Sequence, residues 1–573
     1  MDDFLGEGKS KNWYADARLI ILAIFFAGLC LRLVNLGKIP FNTAEAQNAY
    51  AAFLVANGLS TGTAASPVYE GLSAPTFFVL GASPFFARFW PALAGASLAL
   101  VPLFWRRRVG ALQAVLLAAG LAFDPVLFTL SRQAGGAIFT AVGLIWALSF
   151  FMERKSIGLG IALAVAWLSG SWFWIALLTC GIGVGIYMLT QNKAAANGLA
   201  NACPFRTKTF REAAGLSFIV SLILLASALI LNPAGLSGIA SGLAGLWSSS
   251  QEVATIAYIL PIYRVSAYSL PIILFAFPAA LSAWKEKDGR GQIVSLVAGV
   301  MLLSIFLFRT QGTAGYALLH CLLWFLAART LENQILLEAG QKDIALGAFL
   351  LGMAICAYLA VSAKNLVNPA QSALTVGPSA IAFVLGLLLL VLIFFLVMMG
   401  WSLQTARKGI LSAVLLSVLA FSLSLTFLAL KPSNPYPALV WSDSSLWVNA
   451  DAQSTLLREI EKTGKLEPQV SSVVMTAPQL EVLRWNFRDF RHVLVSTGLP
   501  ENSPPEIILS ATADQKNAAE SYRGVRIVNP GIVQWDTIAP LNLVRAAVSK
   551  RLPAENFEYY LWIRQDLMTG ALP

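Results

Sequence analysis

The chain has 573 residues, 57% of them hydrophobic and 12% charged, with a mean hydropathy of +0.69. This composition excludes a soluble globular protein and fits a polytopic membrane protein. The net charge of +10 is not gathered on one soluble domain: residues 1–431 hold 27 Lys and Arg against 15 Asp and Glu, and residues 432–573 hold 13 against 15. No nucleic-acid partner is therefore expected.

Residues 1–17 read as a cytoplasmic tail and residues 18–430 as the membrane domain. Apolar stretches long enough, or nearly so, to cross about 30 Å of hydrocarbon lie at 19–36, 86–105, 110–130, 136–151, 157–171, 173–190, 213–232, 266–284, 291–308, 313–330, 343–362, 378–400 and 409–430. They predict about thirteen transmembrane helices. The first reads as a retained helix, because no small-residue cleavage site follows it and the chain runs on into Arg32. With the N-terminus inside, the short cytoplasmic loops hold nineteen Lys and Arg and the opposite side holds eight. That bias places residues 73–81 as a helix lying on the outer surface, since one more crossing there puts Arg106-Arg107-Arg108 outside. The outer loops 37–85 and 233–265 are longer than turns.

An odd number of spans leaves residues 431–573 outside the cell membrane. Apolar runs at 470–476, 492–496, 506–512 and 524–530 alternate there with helical patterns at 450–464, 513–521 and 541–551, which predicts a small extracytoplasmic α/β domain. Cys30, Cys180, Cys203, Cys321 and Cys356 are scattered without CxxC spacing, so neither a zinc site nor a disulfide framework is expected. The outer carboxylates show no metal-ligand spacing, so no cofactor is expected and a divalent metal is left open but not indicated.

An ionisable group in or beside the membrane is costly and each one needs a reason. Asp124 is the one carboxylate in the interior of a predicted span, Asp343 standing at the edge of another; it precedes Pro125, and reads either as a helix-kink carboxylate paired with a nearby donor or as a site residue. Glu45 and Glu70 are the only acids of the first outer loop. Glu45 fits the first turn of a short helix capped by Asn42 or Thr43, where the helix dipole favours a carboxylate, and on the physics of the sequence alone this capping role comes first. Arg88, Arg132, Arg264 and Arg309 all fall at outer membrane boundaries. A guanidinium there either anchors by snorkelling or holds a lipid phosphate bidentately. His320 reads as a core residue. Trp167, Trp172 and Trp174 read as an aromatic belt, with a sugar-stacking platform as the second possibility.

The ordered segments LRLVNLGKIPFNTAEAQNAYAAFLVANG, YEGLSAPTFFVLGASPFFARFWPALAGASLALVPLFWRRRVG and LAAGLAFDPVLFTLSRQAGGAIFTAVGL, with FEYYLWIRQDL near the end, resemble the membrane glycosyltransferases of the GT-C type. The similarity is to the protein O-mannosyltransferase-like group, glycosyltransferase family 39. The resemblance implies a multi-pass enzyme of the plasma membrane that moves a hexosyl or pentosyl group from a polyprenyl-phosphate donor to a protein, lipid or glycan acceptor on the outer face. It implies Glu45 as the acceptor-side carboxylate with Glu70 and Asp124 in support, and Arg132, Arg264, Arg309 and Arg88 as phosphate contacts. A carboxylate near the acceptor and cations on the leaving phosphate stabilise the charge that develops at an oxocarbenium-like transition state. Where the group carries the Asp of its acidic pair this chain has Ala44, and its usual Ser-Arg-Glu-Ala-Arg appears as Ser131-Arg132-Gln133-Ala134-Gly135. Those differences motivate the alternative, a non-catalytic scaffold that binds a lipid-linked glycan. A transporter needs repeat symmetry or paired mid-membrane charges, for which Asp124 is the one candidate.

Overall fold

The computed structural model describes residues 7–59, 66–190, 207–240, 242–243, 256–307, 313–338, 340–367, 373–434, 436–441, 447–448, 467–468, 470–476, 478–496, 504–511, 521–532, 538, 540–552 and 555–568. After α1 (Glu7–Leu33) and the two-residue strand β1 (Phe41–Asn42) come α2 (Thr43–Ala56) and α3 (Pro67–Leu80). Residues 73–80 thus form the second half of α3, and Gly81 caps its end.

The helical body follows: α4 (Pro84–Val109), α5 (Ala111–Phe123), α6 (Pro125–Ser131), α7 (Ala137–Met152), α8 (Ser156–Trp167), α9 (Trp172–Thr190), α10 (Lys208–Ala226), α11 (Ile259–Lys285), α12 (Gly289–Leu307), α13 (Ala314–Leu336), α14 (Lys342–Leu366), α15 (Pro378–Gly400) and α16 (Leu403–Leu428). Among the described residues nine of these are long and apolar enough to cross a bilayer, or ten with the bent pair α5–α6. The protein is therefore a multi-pass membrane protein. The remaining predicted spans fall on α1 and on the shorter apolar helices α7 and α8. The side chains of α15 are mostly exposed, Leu385, Leu388 and Leu392 among them, as lipid-facing residues are.

Two boundaries differ from the prediction. The span expected over 213–232 ends as a helix at Ala226, and Ala228, Leu229 and Ile230 adopt φ of 48°, 56° and 78°, which turns the chain back at the bundle surface. The span expected from 266 begins earlier: the chain is helical from Ile256 and passes through a π-turn at Val265–Ser269. Arg264 consequently lies within a helix and not in a connecting loop.

The predicted span 110–130 is broken by 50° at Asp124. Pro125 has no N–H to offer Leu121, and the N–H groups of Val126 and Leu127 go to Asp124 Oδ1, both at 2.9 Å. The carbonyls of Leu121, Ala122 and Phe123 are thereby freed in a buried setting, where an unpaired carbonyl is costly. Arg32 on α1 donates to Ala122 O at 2.8 Å and to Leu121 O at 3.5 Å, and Thr426 on α16 donates to Phe123 O at 2.7 Å. Asp124 Oδ2 accepts from His320 Nδ1 and Trp324 Nε1 on α13, both at 2.8 Å, and His320 Nε2 lies 2.9 Å from Ser269 Oγ. The break is thus pinned by α1, α13 and α16, and it aims the Arg132–Gly136 turn across the end of the bundle.

The C-terminal region forms a five-stranded mixed sheet in the order β4–β3–β5–β7–β6, from β3 (Ser472–Met475), β4 (His492–Val495), β5 (Ile507–Ser510), β6 (Tyr522–Ile532) and β7 (Glu555–Arg564). β3 is parallel to β4 and β5, and β7 is antiparallel to β5 and β6. The helix Pro540–Ser549 matches the pattern read at 541–551, whereas those read at 450–464 and 513–521 lie outside the described residues. Strand β2 (Trp447–Val448) pairs antiparallel with β1, placing the tail on the residue that caps α2. A 3₁₀ stretch at Pro478–Phe487 reinforces this: the Trp485 ring lies 5.4 Å from that of Phe41 and 6.0 Å from that of Phe77.

Candidate functional site

Asn42 caps α2 with extended backbone, and a reciprocal capping box forms: Glu45 N donates to Asn42 Oδ1 at 2.9 Å and Asn42 N to Glu45 Oε2 at 3.2 Å. Glu45 is buried, and Arg88 on α4 meets it bidentately, with Nε to Oε1 at 2.8 Å and Nη2 to Oε2 at 3.0 Å. Ala134 N donates to Oε1 at 2.9 Å. The four positions of the carboxylate are therefore filled. Arg88 is filled as well, since its remaining N–H groups reach the carbonyls of Leu36, Ile39 and Pro40, with Phe41 stacked 4.4 Å away. This pair ties α2, α4, the Leu36–Pro40 bend and the turn after α6 into one unit.

Arg132 differs. Its Nη1 donates to the carbonyls of Leu31 and Arg32, at 3.1 and 2.5 Å, while Nε and Nη2 are buried with no acceptor. It faces a small cavity of about 30 Å³ whose lining includes Glu45, Arg88, Gln133, Lys431 and Asn434. A guanidinium with two idle donors beside an ammonium, in room for about two water-sized groups, is suited to an anion.

Gln133 and Glu45 also line a larger cavity of about 210 Å³, walled by Asn48, Ser66, Gly135, Gly136, Ser169, Trp172, Thr313 and Trp441. Gly136 passes so close to its neighbours that a Cβ there meets Ser66 Oγ at 2.1 Å and Ser169 O at 2.6 Å. Ser66 Oγ, Gln133 Nε2 and Trp172 Nε1 are buried without hydrogen-bond partners. Trp441, from the segment that leads into the sheet, packs edge-on against Tyr268 and Tyr316 at 5.1 and 5.2 Å. The bundle end that carries the tail thus holds two adjoining cavities, one cationic and one lined by neutral donors and indole rings.

Of the residues singled out in the sequence, Glu45 lines both cavities, and Arg88 and Arg132 line the smaller. Arg264 sits behind the larger one, donating to Val440 O at 2.7 Å with its guanidinium 5.4 Å from the Trp441 ring. Asp124 holds the helix break, as the kink reading expects, and lines neither cavity. Glu70, one turn from Ser66 on α3, lines neither; burial pushes its carboxyl up to about 7. Arg309 lies outside the described residues. Among the described residues no three His, Cys, Asp or Glu side chains converge in a metal-binding group. Ser66, Lys431 and Trp441 join the site only through folding. Gln133 and Gly135 lie in the segment singled out at 131–135, and Trp172 among the tryptophans that read as a belt or sugar-stacking platform; all three line the larger cavity.

No protein-family model and no curated protein matches the sequence. Solved structures do match. ArnT from Cupriavidus metallidurans bound to undecaprenyl phosphate aligns over 98% of this chain and 99% of its own at 14% identity, with a TM-score of 0.55. The apo state of that protein aligns over 97% and 98%, also at 14% identity, with a TM-score of 0.53. The apo oligosaccharyltransferase of Archaeoglobus fulgidus aligns over 84% of this chain and 65% of its own at 11% identity, with a TM-score of 0.43. At such identities a match shows fold and not activity. From the first helix to the last strand, the chain shares the multi-pass membrane fold of ArnT.

Proposed function

We propose that this protein is a glycosyltransferase that moves a sugar from a polyprenyl-phosphate donor to a protein, lipid or glycan acceptor at the outer face of the plasma membrane. The observation that carries the reading is the pair of adjoining cavities. Arg132 and Lys431 suit the phosphate, and the neutral cavity across Gln133 and Glu45 suits the sugar. The ArnT structure that shares the fold end to end holds undecaprenyl phosphate, which supports the donor class. The excess of Lys and Arg on the opposite side of the bundle supports an outer position for both cavities, with the N-terminus inside.

In the proposed reaction the acceptor oxygen attacks the anomeric carbon, the bond from that carbon to the phosphate oxygen breaks, and the polyprenyl phosphate leaves. Arg132 stabilises the charge gathering on the phosphate. Glu45, whose oxygens already accept four hydrogen bonds, holds the Ala134 turn in place, and the leaving phosphate takes the acceptor's proton. The experiment follows sugar release and transfer from radiolabelled polyprenyl-phosphate hexose and pentose donors by the full-length protein in liposomes. Turnover that falls at least about 100-fold in Arg132→Gln supports the reading. Turnover indifferent to Arg132 contradicts it.

The filled carboxylate also favours a second reading. Glu45 is the one carboxylate among the described residues lining either cavity, so a protein that binds the lipid-linked sugar without transferring it fits the same geometry. Donor binding that depends on Arg132, with no turnover across a panel of acceptors, selects it.

A further inference from the structure

The larger cavity carries a statement about which sugar it takes, and this rests on the donor reading above. We propose that it selects an uncharged monosaccharide ring, against amino sugars and uronic acids, and that Ser66, Gln133 and Trp172 determine this choice.

Five observations lead there. Ser66 Oγ, Gln133 Nε2 and Trp172 Nε1 are buried beside the cavity with no partner, so each is a hydrogen-bonding group that a ligand oxygen satisfies. Neutral hydroxyl oxygens are sufficient for this and bring no charge to desolvate. An ammonium group on the sugar needs a carboxylate. Glu45 is the one carboxylate among the described lining residues, and it is already matched by Arg88 and filled by the N–H groups of Asn42 and Ala134. A carboxylate on the sugar needs a cation in the same cavity, and among the described residues lining it there is no Lys or Arg. Arg132 and Lys431 belong to the smaller cavity, where the donor phosphate sits in this account. The indole rings of Trp172 and Trp441 add apolar faces for the ring's C–H groups. At about 210 Å³ the cavity is smaller than the roughly 300–1,000 Å³ that drug-sized ligands occupy, which suits one ring and not an oligosaccharide.

The test compares four lipids binding to the full-length protein in nanodiscs: bare polyprenyl phosphate, and the same lipid carrying glucose, glucosamine or glucuronic acid. These sugars share one ring and differ in a single group. The expected order places the glucose lipid at least about tenfold tighter than either charged derivative. Ser66→Ala lowers affinity for the glucose lipid by about 2- to 10-fold and leaves the bare lipid unchanged. Gln133→Glu supplies the missing carboxylate and reverses the order of glucose and glucosamine. A wild-type protein that binds a charged derivative as tightly as the glucose lipid overturns the proposal, as does a ranking unmoved by both variants. Failure of bare polyprenyl phosphate to bind, or binding indifferent to Arg132→Gln, sinks the donor reading beneath it. A sound bare-lipid site with the wrong sugar ranking sinks this inference alone.

Discussion

A carboxylate offers about four acceptor positions, and Glu45 has committed all four, to Asn42, Ala134 and twice to Arg88. Removing the charge leaves a buried Arg88 uncompensated, at a cost of about 3–5 kcal/mol. Glu45→Gln is therefore expected to lower the thermal unfolding midpoint sharply. Replacing both partners, in Glu45→Gln with Arg88→Met, is expected to cost less than the sum of the single changes, because the second removes the orphaned charge. Thermal unfolding in detergent measures both. A Glu45→Gln protein of wild-type stability that has lost only turnover reassigns the carboxylate to chemistry. At this scale the sequence was half legible. The cap at Asn42 and the first-turn position of Glu45 follow from local spacing, whereas Arg88 is 43 residues away and only the packing of α4 reveals it as the partner.

Helices show the same division. Apolar length located the nine helices that, among the described residues, are long and apolar enough to cross a bilayer, and Asp124-Pro125 announced a break. The break's supports, from Arg32, His320, Trp324 and Thr426, come from three other helices and leave no local mark. The early end of α10 was hidden because residues 227–231 remain largely apolar while the backbone turns left-handed, with neither Gly nor Pro to signal it. On α3, whose Gly71 lies against Leu225 O with no room for a Cβ, Glu70 gives a pH prediction. Burial raises its folded pKa from 4.5 to about 7, so between those values the folded protein binds the extra proton. Stability is present below about pH 4.5 and is lost as pH rises to about 7, by at most about 3 kcal/mol. Glu70→Gln is expected to flatten this slope in thermal unfolding measured across that range. An unchanged slope assigns the dependence elsewhere.

For the molecule as a whole, the tail is part of the site. β2 pairs with the strand that caps α2, Trp485 packs on Phe41 and Phe77, and Trp441 walls the larger cavity. The apolar runs matched β3 to β6 but not β7, and composition separated tail from bundle. The seam between them was not legible, since it is made by single aromatic residues far apart in the chain. The resemblance read from residues 31–151 and from FEYYLWIRQDL near the end agrees with the fold shared with ArnT. The most direct measurement is a cryo-EM structure of the full-length protein with a polyprenyl-phosphate hexose bound. The account predicts the phosphate within hydrogen-bond distance of Arg132 Nε and Nη2, and the sugar beyond Gln133 between Ser66, Trp172 and Trp441. A donor whose phosphate lies away from Arg132, with the larger cavity free of sugar, contradicts it.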